Sequence, residues 1–111
     1  MNHNNITEFR LKDHVLLKLR KVFKSFPGIK EAIIYGSRAL GTYREGSDID
    51  ITLKADLNFD ELIEVERKLD ALLLPYRIDL SLYQKLSNPY LVEHTDRVGK
   101  QFYLKETVVN N

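Results

Sequence analysis

Residues 47–55 read Ser-Asp-Ile-Asp-Ile-Thr-Leu-Lys-Ala, and no other stretch of the chain constrains the fold as tightly. A period of two puts Asp48 and Asp50 on one face of a strand and Ile49, Ile51 and Leu53 on the other. The apolar face has to be covered by other elements. The acidic face has to stay near water or near a cation. Such a strand belongs to a sheet that is buried on one side only.

The flanking segments supply the cover. From about Lys12 to Phe26 the residues Val15, Leu16, Leu19, Val22, Phe23 and Phe26 follow helical spacing, and Pro27-Gly28 stops the helix. Residues 31–35 form a short apolar strand ending at Gly36. A short helix is expected over 37–41, closed by Gly41 in the left-handed conformation, and Glu45-Gly46 reads as a turn. A second long helix, from about Asp60 to Leu73, buries Leu62, Val65, Leu69 and Leu73; Asn58 or Asp60 caps it and Pro75 ends it. Arg77 to Tyr83 alternates again, with Ile78, Leu80 and Leu82 against Asp79, Ser81 and Tyr83. The last helix starts at Asn88-Pro89 and carries Leu91, Val98 and Phe102 inward. The expected fold is α/β, of the α+β kind: a small mixed sheet covered by helices in the order α-β-α-β-α-β-α.

A chain of 111 residues can bury one core, so residues 1–111 are read as a single domain. Its 17 basic and 16 acidic residues leave a net charge of +1. That balance lacks the basic excess of a protein that grips a nucleic-acid backbone, and direct nucleic-acid binding is not expected. Arg10, Lys12, Lys18, Arg20, Lys21 and Lys24 gather around the first helix, where a solvated face accounts for them. No apolar run approaches the ~20 residues of a membrane helix, and Met1 to Thr7 carries no signal pattern. Cysteine is absent, and a cytoplasmic location is expected.

Two groups of residues carry chemistry. Gly36-Ser37 ends an apolar strand where a helix begins, a place where backbone N–H groups and a hydroxyl can meet phosphate oxygens, with Arg38 and Arg44 in the same segment. A Gly-Ser dipeptide alone reads better as an ordinary helix cap. Asp48 and Asp50 are ~6.6 Å apart on one strand face, and Asp79 has the same phase on the next strand, ~4.8 Å away if adjacent. Like charges ~4 Å apart repel by roughly 4 kcal/mol at an effective dielectric of 20. Three such groups on one face are costly, or one keeps its proton, unless a cation neutralises them, and two Mg²⁺ ions suit the spacing and the oxygen ligands. His3, His14 and His94 share no ligand spacing, and surface or partly buried histidines explain them.

Gly36-Ser37, ten intervening residues, Asp48-x-Asp50 and the later Ile78-Asp79-Leu80 resemble the minimal nucleotidyltransferases of the DNA polymerase β superfamily. The resemblance runs from about Ala32 to Tyr103, and the stretch from Leu74 to Leu80 looks most like the MntA-type antitoxins, which are paired with HEPN-domain ribonuclease toxins. It implies that Asp48 and Asp50 hold two Mg²⁺ ions and that Asp79 holds the one activating the acceptor hydroxyl. It implies that Gly36 and Ser37 hold the triphosphate, with Arg38 as the basic residue after Gly-Ser and Ser47 as the small polar residue before the first Asp. Leu40 departs from the pattern, since many relatives have a basic residue there. The implied reaction transfers AMP from ATP to a tyrosine hydroxyl of a HEPN toxin. The alternatives are a small-molecule acceptor and a non-catalytic antitoxin acting by occlusion. A second polypeptide, or a second copy in a homodimer, is expected to complete the site.

Overall fold

The computed structural model describes residues 11–41 and 48–106. Helix α1 (Asp13–Lys24) carries Asp13 in its first turn and Lys21 and Lys24 in its last, charges that match the helix dipole. Strand β1 (Ile29–Tyr35) follows, then the one-turn helix α2 (Ser37–Leu40), closed by Gly41 at φ 82°. Strand β2 spans Ile49–Ala55 and helix α3 Phe59–Asp70. Asn58 is the cap of α3: its side chain accepts from Glu61 N–H at 2.8 Å while Glu61 accepts from Asn58 N–H at 3.0 Å. Strand β3 (Ile78–Leu82) runs into a 3₁₀ turn at Tyr83–Lys85. Helix α4 (Pro89–Val98) is capped by the Asn88 side chain, which accepts from Tyr90 N–H and Leu91 N–H. Strand β4 (Lys100–Leu104) completes the fold.

The sheet is mixed, in the order β3-β2-β1-β4. β1 pairs antiparallel with both β2 and β4, and β2 pairs parallel with β3 across the α3 crossover. Register places Ile34, Ile51 and Leu80 in one row and Ala32, Leu53 and Leu82 in another. With Val15, Leu19 and Phe23 of α1 and Val65 and Leu69 of α3, these residues form the core.

Two expectations need correction. The chain does not end in one long helix: α4 stops at Val98, and Phe102 lies on β4, buried with its ring 5.9 Å from that of Phe23. Gly99 makes the break. A Cβ there would collide with the Thr95 carbonyl and Ile33 Cγ2, so glycine lets the helix end lie close against β1. The observed order therefore adds a strand at the end. Leu73, expected on the buried stripe of α3, lies beyond the helix at φ 52° and is 87% exposed. Residues 71–76 leave helical phase after Asp70, so the i+4 spacing from Leu69 no longer points inward. The Glu45-Gly46 turn lies outside the described residues.

Candidate active site

The face of the sheet opposite the core is polar. Tyr35, Asp50 and Asp79 stand in one row across β1, β2 and β3, and Ile33, Thr52 and Ser81 form the next. Further along, Glu31 and Lys54 pair at 4.0 Å, and Lys54 Nζ lies 4.8 Å from the centre of the Tyr83 ring. Asp48, just before β2, and Asp79 are exposed, while Asp50 is partly buried. Thr52 Oγ1 donates to the Ser81 carbonyl at 3.4 Å, and the Ser81 hydroxyl is buried beside the Tyr35 phenol.

Gly36 joins this row to α2, and two independent features require glycine there. Its φ of 73° is left-handed, and a Cβ would collide with Asp50 Oδ2. The carboxylate thus rests against bare backbone at the start of the helix. The Gly36 carbonyl accepts from Leu40 N–H at 3.1 Å, which ties Ser37 into α2.

Burial, then the charge of Asp79, then that of Asp48, push the Asp50 carboxyl above the usual carboxylate range; His94 would act in the opposite sense only when protonated. Burial likewise raises the Tyr35 phenol, the Ser81 hydroxyl opposes the shift, and Asp50 and Asp79 add to it. Asp50 therefore feels the two other aspartates expected from the sequence, Asp79 beside it in the row and Asp48 just before β2. The three are not gathered as ligands: among the described residues no three His, Cys, Asp or Glu side chains are close enough together to hold a metal ion.

Arg38 has a more enclosed position than its place after Gly-Ser suggests. It is 4% exposed, with its guanidinium 5.0 Å from the centre of the Tyr76 ring, so it brackets α2 to the segment leading into β3. Arg44 and Ser47 lie outside the described residues.

His94 is the residue that sequence reasoning passed over. Its Nε2 accepts the Gly36 N–H at 3.2 Å, and its ring meets Tyr35 edge-on with centroids 6.4 Å apart. A signal was present, since His94 is three residues after Leu91 and four before Val98, the two residues expected to face inward.

Comparison with known proteins gives the family. The family described as polymerase beta, nucleotidyltransferase matches residues 17–107. A relative from Methanocaldococcus jannaschii, named "Putative protein adenylyltransferase", is 33% identical over 81 residues, covering 69% of this chain and 80% of the relative. A solved toxin–antitoxin structure with AMP-PNP is similar with a TM-score of 0.65 and 26% identity, over 82% of this chain and 74% of that one. The fold is also that of a chain in the complex of tri-AMPylated Shewanella oneidensis HEPN toxin with its MNT antitoxin (TM-score 0.59, 22% identity, 81% of this chain and 70% of that one). The polar row beside a Gly-Ser turn and the match over residues 17–107 lead to one conclusion: this chain belongs to the polymerase β nucleotidyltransferase family.

Proposed function

We propose that this enzyme transfers AMP from ATP to a tyrosine hydroxyl of a HEPN-type toxin and thereby acts as its antitoxin. The observation that carries the reading is the row Tyr35–Asp50–Asp79 with the Asp50 carboxylate set against the Gly36 turn. Support for nucleotide and partner comes from the adenylyltransferase name of one relative and the toxin–antitoxin structure with AMP-PNP.

The donor set fits Mg²⁺. Its members are carboxylate oxygens, and the crowding that raises Asp50 is what a divalent cation relieves. Asp48 and Asp50 would hold two Mg²⁺ ions, and Asp79 would help to hold the one that activates the acceptor hydroxyl. When bound, Mg²⁺ neutralises triphosphate charge and lowers the pKa of the attacking hydroxyl.

The protein's own residues set the positions. The turn at Gly36 sets Ser37 beside the carboxylate row, and the Ser37 hydroxyl donates to a phosphate oxygen. Arg44 and Ser47 complete the phosphate grip, and Arg38 holds α2 in place through Tyr76. The exposure of Asp48 and Asp79 suits an acceptor presented by another protein. The acceptor oxygen bonds to the α-phosphorus and the bond to the bridging oxygen breaks. Pyrophosphate leaves with that electron pair, and the hydroxyl proton passes to solvent.

The test is persistence of inhibition. The HEPN-type product of the neighbouring gene is incubated with this protein, ATP and Mg²⁺, then separated from it and assayed for RNA cleavage. Covalent transfer leaves the toxin inactive after separation, and Asp48→Ala with Asp50→Ala abolishes the effect. Recovery of full cleavage on separation would favour occlusion.

A further inference from the structure

Gly36 is the most mobile residue type at the point where the site needs the most rigidity. Its Cα side is closed by the Asp50 carboxylate and its carbonyl is used by α2. Its N–H is the remaining handle, and the group that takes it belongs to neither strand nor helix partner. It donates to His94 Nε2, 58 residues away in sequence, on a helix that crosses the polar face.

We propose that His94 is a positioning residue of the transfer site, holding the Gly36 peptide so that Ser37 and Asp50 keep a fixed spacing around the triphosphate. The inference rests on the function proposed above and deepens it. An N–H donating to Nε2 requires that nitrogen to be unprotonated, so the ring acts here as an acceptor and carries its proton on Nδ1. The edge-on contact with Tyr35 sets the ring plane, and Tyr35 is itself in the row with Asp50 and Asp79. His94 thus links the phosphate turn to the carboxylate row from above the sheet. Its contribution is to geometry more than to stability, because Gly36 is only partly buried and water can replace a lost acceptor. Small displacements of a positioning group carry large costs in transfer.

Two variants separate positioning from packing. His94→Phe keeps a ring against Tyr35 and removes the acceptor; His94→Gln supplies an oxygen near the place of Nε2. The first readout needs no nucleotide: amide hydrogen exchange at Gly36, followed by NMR. The second is the affinity for AMP-PNP with Mg²⁺, by calorimetry. In His94→Phe the Gly36 amide exchanges about tenfold faster and AMP-PNP binds about 5- to 10-fold more weakly, the worth of one hydrogen bond. His94→Gln restores both to within about threefold, and its melting temperature matches that of His94→Phe. Unchanged Gly36 exchange in His94→Phe, or equal AMP-PNP binding by both variants, would overturn the role of His94. Failure of the unsubstituted protein to bind AMP-PNP, both alone and together with its HEPN-type partner, would instead overturn the proposed function, and the nucleotide role of His94 with it.

Discussion

The two faces of the four-stranded sheet come from alternate residues of the same strands, yet they follow opposite rules. On one, Ala32, Ile34, Ile51 and Leu53 are fully buried under α1 and α3. On the other, Tyr35, Asp50, Thr52 and Ser81 bring polar atoms together, with Asp50 held above the ordinary carboxylate range by burial and by Asp79 and Asp48. The first face lowers free energy by removing apolar area from water. The second raises it by crowding like charges around the partly buried Asp50. A small domain that tolerates such a face has its stability on one side of the sheet and, in the function proposed above, its chemistry on the other.

Substitutions that cross this division test it. Leu53→Ala on the apolar face should cost about 2–5 kcal/mol in unfolding free energy, read by urea denaturation, while AMP transfer per folded molecule is unchanged. A comparable loss of transfer in the folded fraction would break the separation. Gly36→Ala touches both sides, because it forces a left-handed φ on alanine and drives a Cβ into Asp50. It should cost about 1–3 kcal/mol and also weaken AMP-PNP binding, so a stable variant that binds normally would contradict the geometry.

Asp50→Asn gives the smallest change and the most telling sign. The folded Asp50 binds its proton more tightly than the unfolded one, so the charged form destabilises the fold. The two proteins should be closest in stability below the unfolded carboxylate range. The advantage of Asn then grows as pH rises through that range and levels off above the raised value of Asp50. Thermal melts across pH check this, and added Mg²⁺ should narrow the gap by stabilising only the unsubstituted protein. A gap that shrinks with rising pH would show that Asp50 is not crowded.

Local features made much of this division legible in the sequence. The alternation of Asp48 to Leu53, the Asn58 and Asn88 caps, and Gly41 each act within a few residues and need no tertiary knowledge. β4 was hidden because one buried residue, Phe102, defines no period, so a short strand and a helix end look alike. Leu73 misled because it continues the spacing of Leu69 beyond the end of the helix. His94 could not be assigned because its meaning comes from Gly36, a contact fixed only when α4 packs across β1. Arg38 matched its expected position in the motif, but its enclosure against Tyr76 depends on where the segment before β3 runs.

The central claim is that the polar face performs nucleotidyl transfer, and the position of an isotopic label tests it most directly. The toxin partner is incubated with this protein, Mg²⁺ and ATP labelled at either the α- or the γ-phosphate. Label should enter the partner from α-labelled ATP alone, and should vanish with Asp48→Ala plus Asp50→Ala. Transfer from the γ-phosphate, or α-label retained by the double variant, would contradict the account.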